Sequence, residues 1–181
     1  MAWNYPSELA VAPGVRLRLS RPADAGTITG WLGDERVHRG WGGAPVPLAE
    51  VQAKYTGARL PDVVVHLVET AAGPVGLVQA WRDGDRCGLD MFLAAHAQGR
   101  GLGPVVARAL AAELTRRGWR GLTVDPAADD VRAVRAWRRA GFVPTGDRTA
   151  DGRGLLMVFA GDVTTDPGRR PGTPAPGPPS R

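Results

Sequence analysis

The sequence predicts an α/β fold, an α+β arrangement with a central twisted mixed sheet flanked by helices. Three observations support this. The chain has 181 residues, 43% of them apolar and 23% charged, which suits one compact domain with an ordinary core. Strand-like and helix-like periodicities alternate along it. Finally, residues 87–125 form a pattern of strand, glycine-rich loop, long helix and strand, whose right-handed crossover makes the two strands parallel neighbours.

The first third of the chain is predicted to contain one strand and two helices. Val15–Leu19 alternates like a half-buried strand, and Ser20–Asp24 provides the residue types that begin helices. Ile28, Trp31 and Leu32 follow at helical spacing. After a loop that contains Trp41-Gly42-Gly43, apolar positions from Leu48 to Tyr55 predict a second short helix.

The middle of the chain is predicted to form antiparallel strands. Residues 63–69 and 75–81 are apolar and rich in valine, and Gly73-Pro74 separates them, so we expect a hairpin. Gly84 provides the next turn, and residues 87–93 form a third strand. These three strands should be the centre of the sheet.

The last part of the domain is predicted to alternate helices and strands. Apolar residues from Pro104 to Leu114 predict a long helix that ends at Gly118. A short strand at 122–125 leads through Pro126 to a helix from about Asp130 to Ala140, which stops at Gly141 before Phe142-Val143. Residues 155–159 form the final strand.

Composition divides the chain into a domain at 1–161 and a tail at 162–181. The tail is rich in proline and glycine and has almost no large apolar side chains. Such a segment cannot bury enough surface to offset its chain entropy, so we expect it to be disordered, with a proline-rich ligand for a partner as the alternative. Nothing in it indicates catalysis.

The expected location is cytoplasmic, and neither a membrane nor a nucleic acid is an expected partner. The N-terminus lacks the charged start and apolar run of a secretion signal, and the only cysteine, Cys87, cannot form an internal disulfide. No apolar run reaches the roughly 18 residues of a membrane span. The net charge is +5, but arginines cluster only at 132–139, which indicates a solvated helix face or attraction for a phosphorylated cofactor.

The loop from Gln98 to Gly103 is a candidate anion site. Glycines between a strand and a helix N-terminus leave backbone N–H groups unpaired at the positive end of the helix dipole. A plain glycine-rich turn is the alternative. The Gly-Lys-Ser/Thr of a Walker loop is absent, and Pro104 stands near where a dinucleotide fingerprint needs its third glycine, so a different phosphorylated cofactor is indicated.

The motif Gln98-x-x-Gly101-x-Gly103, which opens a long helix after a strand, resembles the pyrophosphate loop of the GNAT acyl-CoA-dependent N-acyltransferases. The segment from Arg132 to Phe142 resembles the second cofactor-side helix of that superfamily and its Gly-Phe ending. Within it, the sequence is most similar to the aminoglycoside 6'-N-acetyltransferases and their siderophore-acylating relatives. The similarity extends from Val15 to Phe159.

This resemblance implies acetyl-CoA as co-substrate and no metal, and the three histidines indeed lack metal-ligand spacing. The pyrophosphate would lie on the loop amides and the pantetheine arm beside the strand that ends near Leu93. Two positions depart from the family pattern, since Trp137 stands where a tyrosine often protonates the thiolate and Asp130 stands where asparagine is common. The implied cofactor-binding residues are Leu93, Gln98, Gly99, Arg100, Gly101, Leu102, Gly103, Asp130 and Trp137.

The chemistry expected is direct attack of an amine on the thioester, which needs an oxyanion donor near Phe92 or Leu93 and no enzyme nucleophile. Asp90 and Asp125 should line one cleft because they lie on adjoining parallel strands. By resemblance both are catalytic, with Asp90 as the base. The alternative for Asp90 is a polar strand residue that is hydrogen-bonded to a backbone donor, and the alternative for Asp125 is a helix or turn cap before Pro126. The implied substrate residues are Trp41, Tyr55, Asp90, Asp125 and Asp151. The alternative for Trp41 and Tyr55 is that they are core aromatics, and the alternative for Asp151 is that it is a turn residue.

The sequence therefore predicts an aminoglycoside N-acetyltransferase, acting on the 6'-amino group of a small, polycationic amine substrate. The acidic, tryptophan-rich loop of many such enzymes is reduced here to residues 82–86, so the resemblance specifies the cofactor more closely than the substrate. A siderophore or lysine-type N-acyltransferase, usually with histidine in place of Asp90, and a non-catalytic acyl-CoA sensor are the alternatives. The sequence does not distinguish a monomer from a homodimer.

Overall fold

The computed structural model describes residues 4–162, which contain eight β-strands in one mixed sheet and five α-helices. The strands, in the spatial order β1-β2-β3-β4-β5-β6-β8-β7, are β1 Glu8–Ala12, β2 Val15–Leu19, β3 Val63–Thr70, β4 Gly73–Asp83, β5 Arg86–Leu93, β6 Leu122–Val124, β7 Phe142–Arg148 and β8 Leu155–Phe159. The helices are α1 Ala25–Leu32, α2 Glu35–His38, α3 Leu48–Tyr55, α4 Leu102–Arg116 and α5 Val131–Ala140.

This architecture confirms the predicted fold class and the predicted crossover. β5 and β6 are parallel neighbours joined through α4, whereas all the other recorded strand pairs are antiparallel. The predicted hairpin is β3–β4, with Val65 opposite Gln79. Helix α5 ends at Gly141, whose φ of 101° is accessible mainly to glycine. The predicted tail lies outside the described residues apart from Asp162.

Three elements have no counterpart in the sequence prediction: β1, α2 and β7, which pairs with β8 at the other edge of the sheet. β1 pairs with β2 at the edge of the sheet, and the Pro6 carbonyl just before it lies 2.7 Å from Nε2 of the buried His66. Helix α2 is a single turn, begun by the Asp34 carboxylate, which accepts a hydrogen bond from the Arg36 N–H at 3.0 Å. A segment this short shows no helical period, and only the partner strand identifies β1.

Helices cover both faces of the sheet. On one face, α4 and α5 pack against a core that includes Leu89, Leu110 and Phe142. On the other, α1, α2 and α3 pack against a second core that includes Leu77 and Phe92. The two faces are called the α4 face and the α1 face below. None of the helices in residues 4–162 is long and apolar enough to cross a membrane.

The sheet opens between β5 and β6. The two strands pair only at Cys87–Leu122 and Gly88–Thr123, and β6 ends at Val124, while β5 continues to Leu93. The Ala94 N–H bonds to the Val75 carbonyl of β4 at 2.9 Å. Because neighbouring residues of a strand point their backbone groups to opposite sides, the N–H and C=O of Leu93 face the opening.

The ion pairs around Arg18 lead to a stability prediction. Its guanidinium donates to both oxygens of Asp24 at 2.8 Å and to Glu69 at 2.7 Å, and these side chains are only 13–14% exposed. The hydrogen bonds from Arg18 hold the pKa of Asp24 below its ordinary value. We expect Arg18→Met to lower the free energy of unfolding by about 1–2 kcal/mol at neutral pH, measured by urea denaturation.

The pH dependence identifies the cause of this loss. A lowered folded-state pKa stabilises the protein above the unfolded pKa, near ~3.9, and this contribution is lost as the pH falls through the folded value. The difference between Arg18→Met and the original protein should therefore shrink below about pH 4. Arg16→Met is the control, because Arg16 is 59% exposed and pairs with Glu69 alone. An equal loss for both variants would contradict the prediction.

Candidate functional site

The glycine loop, residues 98–103, presents backbone N–H groups at the start of α4. Gly99 and Gly101 both have φ of 78°, a left-handed conformation that favours glycine. Gly101 begins the helix without a side-chain cap, and no hydrogen bond to another described backbone group is recorded for the N–H of any of the six residues. Since these donors stand at the positive end of a 15-residue helix, the loop is suited to bind an anion.

Charged and polar side chains flank the glycine loop. A Cβ on Gly99 would lie 3.4 Å from Nη2 of Arg132, so this guanidinium lies directly against the loop. Arg100 is exposed. Gln98 donates from Nε2 to the Leu93 carbonyl at 3.0 Å, which fastens the loop to the end of β5. The sequence places Arg132 in an arginine cluster that could attract a phosphorylated cofactor, but does not single it out as a cofactor-binding residue, because its proximity to the loop depends on how α5 packs.

A narrow cavity of about 110 Å³ connects the glycine loop with β5. Glycine and alanine keep it open, and a Cβ on Gly103 would lie 3.2 Å from Cε of Met91. Trp137 lines its far wall, with its ring edge-on to Phe142 at a centroid distance of 5.2 Å. The lining residues are Met91, Gly103, Pro104, Ala107, Ala133, Ala136 and Trp137.

Two other predicted cofactor residues lie at the borders of this cavity. Leu93 Cδ1 would lie 3.9 Å from a Cβ on Gly103, so the end of β5 reaches the glycine loop. Leu102 is the first residue of α4 and packs against the core of the α4 face. The Asp130 carboxylate accepts the Ala133 N–H at 2.9 Å and so acts as the N-cap of α5.

A larger, open depression of about 330 Å³ lies on the outer side of α4. It is lined by Val105, Arg108 and Ala112, among others, and meets the glycine loop only at Gly101. None of its lining residues belongs to β5, so it has no route to the opening of the sheet. The narrow cavity is therefore the better channel between an anion at the loop and the opening.

The two predicted catalytic carboxylates lie on the α1 face at the opening. Asp90 is on β5, two residues beyond Gly88, and Asp125 is two residues beyond Thr123, the residue paired with Gly88. Both side chains are half-buried. Residues two apart on a strand share a face, and the strands are parallel, so the β5–β6 register, continued one residue past the end of β6, brings Asp125 level with Asp90 across the opening. On the α4 face, the cavity is lined by Met91, which lies in the part of β5 that has no recorded pairing with β6.

Gln79 holds Asp90 from the neighbouring strand. The two residues are directly opposite in the β4–β5 pairing, and Nε2 of Gln79 donates to Oδ2 of Asp90 at 2.9 Å. Gln79 is 9% exposed, and its Oε1 is buried without a recorded partner. Burying an amide with one unsatisfied oxygen costs free energy. The recorded side-chain hydrogen bond of Gln79 is the one to Asp90. Sequence reasoning missed Gln79, which only the strand register identifies.

The predicted substrate aromatics form a buried wall beside the carboxylates. Trp41 and Tyr55 are 6% and 5% exposed, and the Trp41 indole N–H donates to the Tyr55 hydroxyl at 2.9 Å. Trp41 also meets Phe92 edge-on at a centroid distance of 5.0 Å. Phe92 precedes Leu93 on β5 and shares the face of Asp90, so this wall adjoins the opening of the sheet.

Asp151 lies in the turn between β7 and β8, which packs against the chain just after Asp125. The Leu155 N–H bonds to the Pro126 carbonyl at 2.8 Å, and a Cβ on Gly154 would lie 3.0 Å from the Asp125 carbonyl oxygen. The Asp151 carboxylate is exposed and accepts hydrogen bonds from the Thr149 hydroxyl and the Arg153 N–H, the first of which chiefly lowers its pKa. Its local role is to hold this turn.

Replacing Gln79 tests whether it positions Asp90. For the amine acetylation that the sequence predicts, we expect Gln79→Leu to lower kcat about tenfold and to leave the KM for acetyl-CoA unchanged, because the lost hydrogen bond is to the predicted base Asp90. Steady-state thiol release measures both constants. Gln52→Leu on the exposed face of α3 is the matched control. A rise in the acetyl-CoA KM with unchanged kcat would contradict this role.

The comparisons with known proteins agree with this geometry. The family model described as Acetyltransferase (GNAT) domain matches residues 21–150. The chain is 30% identical to aminoglycoside N(6')-acetyltransferase type 1 of Klebsiella pneumoniae and to that of Serratia marcescens, with 80% of this chain and 82% of each relative covered.

Solved structures show the same similarity. The structure of AAC(6')-Ib with paromomycin and acetyl-CoA is 28% identical, with a TM-score of 0.73, and the match covers 84% of this chain and 99% of that one. AAC(6')-Ib with coenzyme A and kanamycin is 29% identical, with a TM-score of 0.71 and coverage of 80% and 93%. Spermidine N-acetyltransferase from Vibrio cholerae, at 19% identity and a TM-score of 0.66, shares the fold.

Proposed function

The chain belongs to the GNAT acetyltransferases, and from that premise we propose that it transfers the acetyl group of acetyl-CoA to the 6'-amino group of an aminoglycoside. The observation that carries this proposal is the opening between β5 and β6. There Asp90 and Asp125 lie beyond the last β5–β6 pair, and the cavity beside the glycine loop is lined by Met91, the residue next to Asp90 on β5. Similarity to aminoglycoside acetyltransferases over 80% of the chain supports the choice of acceptor.

The acyl donor is assigned to the α4 face. The free amides of residues 98–103 would bind the pyrophosphate, helped by the charges of Arg100 and Arg132. The narrow cavity would admit the pantetheine arm between Ala133 and Ala136 of α5 and Gly103 of α4. Gln98, through its bond to the Leu93 carbonyl, would keep the loop and the reaction point at a fixed separation.

The reaction forms one carbon–nitrogen bond and breaks one carbon–sulfur bond. The negative charge that develops on the thioester oxygen requires a donor at the opening, and the Leu93 N–H faces that space, whereas the alternation turns the Phe92 N–H toward β4. Asp90 would accept the proton of the attacking amine. Trp137 cannot protonate the departing thiolate, because an indole N–H is a very poor acid, so solvent would supply that proton.

The acceptor is assigned to the α1 face. Asp90 and Asp125 would attract the cationic amines of an aminoglycoside, and Asp151 adds a third carboxylate next to the Asp125 segment. Trp41 and Tyr55, being buried, would serve as the wall that shapes this pocket rather than as its exposed surface. The division of the chain into a domain at 1–161 and a tail at 162–181, and the cytoplasmic location, remain predictions.

Thiol release from acetyl-CoA tests the proposal across kanamycin, spermidine, hydroxylamine siderophore precursors and a peptide N-terminus. We expect kanamycin to be the preferred acceptor, with mass spectrometry and NMR placing one acetyl group on its 6'-nitrogen. Preference for a siderophore precursor would instead show that the protein is a siderophore N-acyltransferase. If acetyl-CoA binds and no amine releases thiol, the protein is an acyl-CoA sensor, the alternative that the indole of Trp137 in the channel favours.

A further inference from the structure

The α1 face carries an aromatic ring that the proposed function leaves without a role, the indole of Trp81. Trp81 follows Gln79 at strand spacing on β4, so the two side chains share the face of Asp90. It is half-buried and packs against the edge of the core on this face. Unlike Trp41 and Tyr55, it therefore keeps part of its ring accessible beside the carboxylates.

Gly88 allows the Trp81 ring to lie over β5. The two residues are directly opposite in the β4–β5 pairing. A Cβ on Gly88 would lie 2.5 Å from Cζ2 of Trp81 and 2.7 Å from the carbonyl oxygen of Thr123 on β6. Only glycine leaves room for the ring here. The indole thus lies over β5 at Gly88, two residues before Asp90, and extends toward β6, the strand that leads to Asp125.

A cation already lies near the ring of Trp81. The guanidinium carbon of Arg86 lies 6.0 Å from the centroid of the Trp81 ring, within the range of a cation–π contact. Arg86 is exposed and, at the start of β5, shares the face of Gly88 and Asp90. Arg86 thus shows that a cation can lie against this ring, on the face of the sheet that carries Asp90.

We propose that Trp81 is an acceptor-binding residue, whose ring takes an ammonium group or the flat face of an aminated ring, and that Arg86 occupies this place until the acceptor displaces it. This inference rests on the proposed function, because Trp81 would bind the amine acceptor at the same site as Asp90 and Asp125. The ring attracts the cation through its π face while Asp90 and Asp125 compensate its charge. Arg86 competes with the acceptor for the ring and repels its charge.

Substitutions of the two residues should change the acceptor KM in opposite directions. We expect Trp81→Ala to raise it about tenfold, Trp81→Phe to raise it less, and Arg86→Ala to lower it about threefold. The KM for acetyl-CoA should stay unchanged. Arg82→Ala is the matched control, because Arg82 lies in the same hairpin and 5.7 Å from the ring centroid of Trp119, on the α4 face. It removes the same charge from the other face of the sheet.

The outcomes separate this inference from the proposed function. Fluorine NMR of the protein labelled with fluorotryptophan, with Trp81→Phe identifying the Trp81 signal, reports amine binding without turnover. If kanamycin releases no thiol but spermidine or glucosamine shifts that signal, the proposed function fails and the Trp81 site stands. If none of the three amines shifts it, or if Arg82→Ala and Arg86→Ala lower the acceptor KM equally, the inference is overturned even where kanamycin is acetylated.

Discussion

Asp90→Asn is expected to lower kcat for kanamycin acetylation by about 10²–10⁴-fold, the usual contribution of a positioned general base. Asparagine has nearly the same shape and can still accept the hydrogen bond of Gln79, so the pocket should be preserved. What it cannot do is accept the proton of the attacking amine. Because the change affects the chemical step, the KM for acetyl-CoA should not change. Steady-state thiol release measures both constants.

The pH dependence distinguishes a base from a residue that only binds the cation. At higher pH a larger fraction of the amine is already neutral, so the defect of Asp90→Asn should become smaller as the pH rises. A binding residue would instead raise the acceptor KM with little change in kcat. Asp85→Asn, which removes one exposed carboxylate from the neighbouring hairpin, is the control. If Asp125→Asn lost the larger share of kcat, the base would be Asp125.

The sequence predicted the part of the site that is built from consecutive residues. The glycine loop, the start of α4 and the relation between β5 and β6 belong to one unit of chain, whose geometry follows from strand and helix periodicity and from the rule for crossover connections. For the same reason the sequence predicts that Asp90 and Asp125 line one cleft, although β6 ends at Val124, one residue before Asp125. The opening between the strands follows from the length of β6, three residues, against the eight of β5.

The residues that the sequence did not reveal depend on register across strands and on packing between helices. Gln79 and Trp81 are assigned to the site because of the residues opposite them on β5, Asp90 and Gly88, and nothing along β4 distinguishes them from other core positions. Burial of Trp41 and Tyr55 follows from how α1, α2 and α3 pack, which composition does not determine. A sequence identifies aromatic residues, but the three-dimensional packing decides which ring is left accessible.

Ala136→Leu is expected to raise the KM for acetyl-CoA roughly 10–100-fold, because it fills the channel assigned to the pantetheine arm. The cavity has a volume of about 110 Å³, and leucine adds three carbon atoms to its wall. The substitution should not destabilise the free protein, since leucine is nearly as favourable as alanine in a helix and the new side chain enters an existing space. Loss of cofactor affinity should thus accompany an unchanged or higher Tm.

Ala112→Leu provides the matched control for this channel. Ala112 lies on α4 and lines the larger outer depression of about 330 Å³, which has no lining residue from β5. Isothermal titration with coenzyme A and thermal melting should be carried out on both variants. Weakened coenzyme A binding in Ala112→Leu, with unchanged binding in Ala136→Leu, would place the cofactor on the outer side of α4. An acyl group held there would be separated from Asp90 and Asp125 by α4 and the sheet, so direct transfer at the opening could not occur.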